Sequence, residues 1–379
     1  MKWNRKQWAG LTASAAVLVT LAGCGSGAGN SDTSNAANST DNSTSSASSA
    51  PVTLNETGSS LLYPLFNSQW IPAYKSVHPN VTINAASTGS GKGISDAVAG
   101  NVQIGASDAY MSDALVQQNP SMLNIPLAIS AQQIMYNIPG LSADKHLNLS
   151  GDVIAKIYMG EIKQWNDPAI AKLNPGVSLP NQPITTIHRS DSSGDTFLFS
   201  QYLSDTNSEW NTKYKYNTTI SWPSLGNRSI GAKGNDGVVT QLANTKYSIG
   251  YVGISWLDKA TAQGLGYAAL QNKAGKDVLP TKDSIAAAAN AMVNQVPDDE
   301  RISLVYAPGD NSYPIVNFEY AVVNSHQSGD VAQALKDFLQ WAIQPNGGNS
   351  SQYMDPVHFL PLPSSVEPKS EAQINKIGS

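Results

Sequence analysis

One short stretch of the chain combines a cation, several small polar residues and the start of a helix. It is Arg189-Ser190-Asp191-Ser192-Ser193-Gly194-Asp195, which follows an alternating strand pattern at 184–187 and precedes apolar residues at helical spacing. Backbone N–H groups at a helix start lack partners within the helix, and the dipole there favours an anion. Arg189 adds a planar set of donors that suits an oxyanion. The stretch therefore predicts one wall of an anion-binding site.

Two further corners of the same kind occur earlier in the chain. A predicted strand at 52–54 leads to Gly58-Ser59-Ser60, and another at 81–85 leads to Gly89-Ser90-Gly91. Both corners precede apolar residues at helical spacing. Ligands of open α/β sheets bind at the carboxyl ends of the strands, which is where such corners lie. The three corners are therefore predicted to surround one ligand.

A carboxylate stands at the end of another predicted strand. Asp108 closes the run 102–108. An ionised carboxylate cannot donate a hydrogen bond, but it can accept one from an oxyanion that still carries a proton. Phosphate near neutral pH carries one or two protons, whereas sulfate carries none. If Asp108 belongs to the anion site, it favours a protonated anion over sulfate.

The amino-terminal residues predict export and lipid anchoring. A basic start precedes an apolar run at 8–21, which is too short to span a membrane comfortably. The run ends at Leu21-Ala22-Gly23-Cys24, the pattern of bacterial lipoproteins. Residues 1–24 are thus predicted to be a lipoprotein signal peptide with Cys24 as the acylated residue. A single acylation site anchors a protein to the membrane without spanning it.

Composition divides the rest of the chain into a tether and a globular body. Residues 25–50 are almost wholly Ser, Asn, Thr, Gly, Ala and Asp, which predicts a disordered, flexible tether. Residues 51–379 are long enough for two cores. Charged residues make up 13% of the chain and the net charge is −5, which argues against binding nucleic acid or a membrane surface. Because Cys24 is the only cysteine, no intrachain disulfide is possible. No metal or other cofactor is expected.

Strand and helix patterns alternate through the globular body. The pattern predicts strands at 247–251 and 318–322, a helix capped by Ser284, and an amphipathic helix at 331–342. This alternation is typical of α/β layers with largely parallel sheets.

The motifs now assembled resemble one family, the phosphate-binding receptor of the bacterial phosphate ABC transporter. The resemblance covers nearly the whole chain after the signal peptide. The stretches that carry it are Gly58-Ser59-Ser60, Gly89-Ser90-Gly91-Lys92-Gly93, Ile104-Gly105-Ala106-Ser107-Asp108 and Arg189-Ser190-Asp191-Ser192-Ser193-Gly194, with further similarity at 137–141, 154–160, 165–167 and 250–252.

The resemblance implies an α/β fold of the periplasmic-binding-protein type II, also called a venus flytrap. Two α/β lobes with central mixed, mostly parallel sheets would be joined by two crossover strands. Lobe 1 would comprise 51–136 and 314–379, and lobe 2 would comprise 137–313, with crossings near Asn137 and Tyr313. The ligand would be buried between the lobes.

The resemblance also implies roles for particular residues. Those implied to bind phosphate are Ser60, Leu61, Ser90, Asp108, Arg189, Ser193, Gly194 and Asp195. Leu61 would use only its backbone N–H, Asp108 would accept the ligand's proton, and Asp191 would hold Arg189 in place.

Two of these positions depart from the family pattern. Leu61 stands where an aromatic residue is common, and Asp195 stands where a hydroxyl residue is common. A second acid beside the ligand would bind through its N–H alone or take another ligand proton. It could also favour the singly charged form of phosphate.

The implied function is capture without chemistry. The protein would be a monomer, lipid-anchored to the outer face of the bacterial cell membrane. It would bind inorganic phosphate and deliver it to an ABC transporter's permease and ATPase complex. It would not be an enzyme.

Three other classes of protein stay open at this point. The first is a receptor for a different oxyanion or a small organic anion. The second is a secreted phosphatase-like hydrolase, against which the five histidines lack metal-ligand spacing and no Gly-x-Ser-x-Gly elbow occurs. His188, next to Arg189, is the one residue that an enzyme could use. The third is an adhesion or signalling protein that reuses the fold.

Overall fold

The structure is a computed structural model that describes residues 50–141 and 145–378. The predicted signal peptide, the lipid anchor at Cys24 and the tether up to residue 49 lie outside the described residues. The described residues form one compact unit. None of the described helices is both long and apolar enough to cross a membrane.

The described residues contain strands and helices in alternation, as the sequence predicts. The strands are β1 (Val52–Gly58), β2 (Val81–Ser87), β3 (Ile104–Ser107), β4 (Met122–Asn137), β5 (Asn148–Leu149), β6 (Thr185–Arg189), β7 (Ser229–Ala232), β8 (Ser248–Gly253), β9 (Gly266–Tyr267), β10 (Ala269–Gln271), β11 (Asp277–Val278) and β12 (Val316–Asn324). The α-helices are α1 (Ile71–Val77), α2 (Ser90–Val98), α3 (Asp113–Gln118), α4 (Gly151–Met159), α5 (Pro168–Leu173), α6 (Gly194–Thr206), α7 (Ser208–Lys213), α8 (Gly234–Asn244), α9 (Leu257–Ala262), α10 (Lys282–Met292), α11 (Gly329–Ile343), α12 (Ser351–Met354) and α13 (Glu367–Ile374).

One large sheet runs through the described residues. Its strands follow the order β2-β1-β3-β12-β4-β8-β6-β7, and β9 also pairs with β4. The pairs at both ends are parallel, as predicted. In the centre, β12 and β4 pair antiparallel with their neighbours, so the sheet is less parallel than the sequence predicted. Alternation of strands and helices indicates parallel pairing, but it does not reveal strands that join from distant parts of the chain.

The sixteen-residue strand β4 connects the two halves of this sheet. Up to Ala131 it pairs with β12, and from Gln132 onward it pairs with β8. Because β12 comes from near the end of the chain, the half that contains β1, β2 and β3 is completed by a distant segment. The other half is built from β6, β7 and β8.

Two local predictions about helices have different outcomes. The amphipathic helix at 331–342 is α11, and it buries Leu335, Phe338 and Leu339 against the core. Burial of side chains of this size contributes about 1.5–3 kcal/mol each. The predicted cap at Ser284 is wrong, because α10 starts earlier. Its cap is Thr281, whose hydroxyl accepts from the Ser284 backbone while the Ser284 hydroxyl accepts from the Thr281 backbone.

The predicted corners lie at the carboxyl ends of parallel strands. β1 ends at Gly58, β2 ends at Ser87 just before α2, and β6 ends at Arg189 just before α6, while β3 leads to Asp108. At Gly58 the backbone has a φ of +145°, and a Cβ there would lie 2.0 Å from the Ala106 backbone oxygen. Only glycine lets these two strand ends approach so closely.

Candidate anion-binding site

The three corners that the sequence singles out meet in space, although they are far apart along the chain. The Ser90 hydroxyl donates to Asp108 Oδ2 over 3.2 Å. A Cβ built on Gly194 would lie 2.5 Å from Asp108 Oδ2 and 2.6 Å from Ser90 Oγ. The first turn of α6 therefore packs directly against the start of α2 and the end of β3. Ser90, Asp108 and Gly194 are brought together as predicted.

Arg189 lies at the end of β6 with 3% of its surface exposed. Its Nε and Nη2 donate to the Asp191 carboxylate over 2.8 and 2.5 Å. Its Nη1 donates to Asp195 Oδ2 over 2.6 Å. Burial opposes the charge on Arg189, but the hydrogen bonds and charges of the two acids raise its pKa above the usual value. The contact between Asp191 and Arg189 is the one that the family resemblance implied.

Asp195 is fully buried in the first turn of α6. Besides Arg189, its Oδ2 accepts from Asn235 Nδ2 over 2.7 Å, and its Oδ1 accepts from Gln132 Nε2 over 3.1 Å. Burial raises the pKa of Asp195, and Arg189, Gln132 and Asn235 counteract part of that rise. Its carboxylate is therefore held by donors of the protein itself.

Ser60 and Leu61 lie at the first corner, close to the start of α8. The Ser60 hydroxyl oxygen accepts from the backbone N–H and the side-chain amide of Asn235 over 3.0 and 2.9 Å. The Leu61 backbone N–H donates to Ser59 Oγ over 3.1 Å. The Ser59 hydroxyl in turn donates to Asp108. Ser59 therefore links the predicted donor at Leu61 to the predicted acceptor at Asp108.

Ser193 caps α6, and its hydroxyl oxygen accepts from the Thr196 backbone N–H over 3.3 Å. An accepting hydroxyl still has a hydrogen that it can donate, so capping does not prevent a contact with an anion. Ser193 is buried beside Gly194 at the positive end of the thirteen-residue helix.

Asp108 combines burial with hydroxyl donors. Both serines, Ser59 and Ser90, donate to its carboxylate. Burial, and then the charge of Asp195, raise the pKa of Asp108 to about 7. The hydrogen bond from Ser59 and the charge of Arg189 limit that rise. Asp108 therefore keeps its proton to a higher pH than an exposed aspartate does.

Four residues in or beside the site were not among the expected binding residues, although Ser59 was already part of the first predicted corner. They are Ser59, Gln132, Asn235 and Glu319. For Asn235 the available signal was a fourth strand–turn–helix corner, from β7 into α8. For Gln132 the signal was the glutamine pair Gln132-Gln133 in a buried and mostly apolar strand.

His188 was the residue that an enzyme interpretation could use. Its ring stacks on Trp222 with centroids 4.7 Å apart, and its Nδ1 lies 3.1 Å from the Arg189 backbone oxygen. Burial lowers its pKa. Across 50–141 and 145–378, no group of three or more His, Cys, Asp or Glu side chains is placed to hold a metal ion.

Comparison with known proteins agrees with this geometry. A family model described as a PBP superfamily domain matches residues 44–346. The phosphate-binding protein PstS of Methanocaldococcus jannaschii is 35% identical over 369 residues, covering 92% of this chain and 90% of its own length. PstS of Pasteurella multocida is 36% identical over 323 residues, covering 85% of this chain and 89% of its own length.

A solved structure shares the fold at lower sequence identity. It is a high-affinity periplasmic phosphate-binding protein, PfluDING, bound with phosphate, with a TM-score of 0.66 and 19% identity over 86% of this chain and 99% of its own. The mixed α/β fold and the match to the family model thus define a protein of the PBP superfamily. Within that superfamily, the chain belongs to the PstS family of phosphate-binding proteins. The predictions of family and of fold class are confirmed.

Proposed function

We propose that this protein binds inorganic phosphate where the three corners meet and delivers it unaltered to an ABC transporter. The observation that carries the proposal is Asp108, a buried acceptor that faces Ser90 and Gly194 within the electrostatic influence of Arg189. Such a set offers donors for the oxygens of phosphate and an acceptor for its proton. The names of the PstS relatives support phosphate as the ligand.

The ligand would bind in the cleft between two lobes, with lobe 1 formed by 51–136 and 314–379 and lobe 2 by 137–313. The change of partner along β4, between Ala131 and Gln132, supports a first crossing a few residues before Asn137. The hydroxyl of Tyr313, near the second crossing, donates to the Gln132 backbone oxygen over 2.9 Å. The two crossings would therefore lie side by side and form a hinge.

Direct contacts between the proposed lobes support a closed form. The Gly91 backbone N–H donates to the Ser192 backbone oxygen over 3.0 Å. The Ser255 hydroxyl donates to the Leu61 backbone oxygen over 2.7 Å. A ligand that touches both lobes stabilises the closed form relative to the open one. The permease would then recognise the closed form.

Asp108 would also supply the selectivity of the site. A buried carboxylate that accepts a proton from phosphate would face an unprotonated oxygen of sulfate. The Asp108 carboxylate would then lack a donor from the ligand, and its charge would repel the sulfate dianion. Both effects reduce the affinity for sulfate. Selectivity would thus come from proton matching, since the two anions have similar size and shape.

We further propose that no reaction occurs at the site and that the protein acts as a monomer on the outer face of the cell membrane. His188 is engaged by Trp222 and by backbone, which leaves it a structural role. The names of the relatives describe binding proteins. The anchor would be a lipid on Cys24, and the partners would be the permease and ATPase of the transporter.

Calorimetry on residues 51–379 with phosphate, sulfate and citrate tests the proposal. Phosphate is expected to bind at least about 100-fold more tightly than sulfate, a difference of about 2.7 kcal/mol. Comparable binding of sulfate or citrate would favour a receptor for another anion, and no binding of any small anion would favour an adhesion or signalling role. Incubation with phosphate monoesters is expected to release no phosphate, and turnover would overturn the proposal.

A further inference from the structure

A second carboxyl group, that of Glu319, lies behind Asp108 and has no part in the function proposed so far. β3 and β12 pair antiparallel, with Tyr320 opposite Ser107. Glu319 directly precedes Tyr320 and Asp108 directly follows Ser107, so both acids adjoin this pair at the same end of the pairing. The Asn317 side-chain amide contacts both of them, at the Asp108 backbone oxygen and at Glu319 Oε1. The two acids are therefore immediate neighbours.

Glu319 is fully buried and held by polar side chains on one side only. Its Oε1 accepts from the Ser130 hydroxyl over 2.5 Å and from Asn317 Nδ2 over 3.0 Å. The same Asn317 nitrogen donates to the Asp108 backbone oxygen over 3.2 Å. Glu319 Oε2 has no hydrogen-bond partner among the described residues. Oε1 of Glu319 is thus an acceptor, and Oε2 is the oxygen that can carry a proton.

Two adjacent buried carboxyl groups do not both ionise readily. Burial first, and then the charge of Asp108, hold the pKa of Glu319 well above its usual range. The interaction with Glu319 lowers the pKa of Asp108 in return. The charged groups that act on Asp108 from the other side are Asp195, which raises its pKa, and Arg189, which lowers it. The proton of the pair therefore belongs on Glu319.

We propose that Glu319 is a positioning residue of the phosphate site, which keeps the proton of the pair and presents it to Asp108. Asp108 then remains a carboxylate that is ready to accept the proton of phosphate. The inference rests on the proposed function. Ionisation of Glu319 at alkaline pH places a second negative charge behind the site, so affinity for phosphate decreases there.

Two substitutions distinguish the hydrogen-bond donor that Glu319 offers to Asp108 from the ability of Glu319 to ionise. Glu319→Gln keeps a donor that faces Asp108 but cannot ionise. We expect it to bind phosphate within about threefold of the parent protein at pH 7 and to lose less affinity between pH 8 and pH 10. Glu319→Leu removes the donor, so Asp108 becomes protonated more readily. The preference of the Glu319→Leu variant for phosphate over sulfate is expected to fall at least about tenfold.

The measurement is calorimetry of the full-length protein against phosphate and sulfate from pH 6 to pH 10. Glu300→Gln is the matched control, because Glu300 is also fully buried but bonds to Ser370 in α13. Its profile should follow that of the parent protein.

The outcomes distinguish this inference from the proposed function. If the parent protein binds no phosphate, the proposed function fails. If the parent binds phosphate and Glu319→Gln has the same pH profile, the role of Glu319 is overturned. Thermal unfolding identifies a variant that has lost its fold, and Glu319→Gln then decides the matter without Glu319→Leu.

Discussion

The Arg189 guanidinium and the Asp195 carboxylate are joined by a 2.6 Å hydrogen bond inside the protein, on the two sides of the corner between β6 and α6. Asp191 binds the opposite edge of the same guanidinium. The one cation of this corner is therefore flanked by two acids. Neutral donors, namely hydroxyl and backbone N–H groups, must supply much of the attraction for an anion. The low proportion of charged residues in the chain agrees with this arrangement.

Asp195 is expected to make phosphate binding depend on pH. As pH rises, phosphate loses its second proton and the buried acid repels the dianion more strongly. Asp195→Thr removes that charge and frees Arg189 Nη1. We expect its affinity to decrease less from pH 6 to pH 9, and to be about tenfold higher than that of the parent protein at pH 8.5.

Calorimetry across this pH range measures the effect of Asp195→Thr. Asp205→Thr is the control, since Asp205 lies in the same helix with its side chain exposed. Superimposable profiles for the parent protein and Asp195→Thr would remove the proposed effect of Asp195.

Asp108→Asn is expected to reduce discrimination between phosphate and sulfate. The amide has nearly the same shape, but it can donate to sulfate and it carries no charge. We expect the ratio of the two affinities to fall by at least about tenfold, mainly because sulfate binds better. Competition calorimetry at pH 7.5 measures the ratio, with the exposed Asp330→Asn as control. An unchanged ratio would count against Asp108 as the selective residue.

Gly194→Ala tests how closely the corners approach each other. The added methyl would lie 2.5 Å from Asp108 Oδ2 and 2.6 Å from Ser90 Oγ, so it would occupy the space between them. We expect phosphate affinity to fall at least about 100-fold, because the two proposed lobes must move apart to make room for the methyl group.

Gly237→Ala is the matched control for Gly194→Ala, because its methyl would meet its nearest neighbours at an ordinary 3.7 Å. It should bind phosphate as the parent protein does. Normal binding by Gly194→Ala would show that the corners separate around the ligand more than this structure indicates.

Glu56 is expected to make stability decrease with rising pH. Burial raises its pKa from an ordinary 4.5 to about 8 in the folded state. Below pH 4.5 the group is protonated in both states. Between pH 4.5 and about pH 8 only the unfolded chain releases the Glu56 proton. The free energy of unfolding therefore falls, by up to about 1.4 kcal/mol per pH unit. Above pH 8 the loss is complete.

Glu56→Gln abolishes this contribution. Its stability relative to the parent protein should therefore increase from pH 5 to pH 8 and then level off, by a total on the order of a few kcal/mol. Urea denaturation at several pH values measures it. Glu371→Gln, an exposed substitution in α13, serves as control and should parallel the parent protein. If the stability of Glu56→Gln changes with pH in parallel with that of the parent protein, Glu56 is ionised in the folded state.

Much of the fold was predictable because local patterns carry it. The corners at Ser60, Ser90 and Arg189 were identified from strand and helix periodicity and from small polar residues at the junctions. The central antiparallel pairing of β4 and β12 was not predictable in this way. The register between strands that lie nearly two hundred residues apart depends on packing, and periodicity shows only which face of a strand is buried.

The sequence by itself determined the kinds of groups available for an anion, namely one arginine, strand-end acids and serines at helix starts, because residue types and local spacing decide these. Only the tertiary structure decided which groups face each other. It placed Asp195 on Arg189, Asn235 on Ser60 and Glu319 behind Asp108. These contacts join residues from strands and helices that are far apart along the chain. Their distances, and the burial that shifts the pKa values of the acids, exist only after the sheet has assembled.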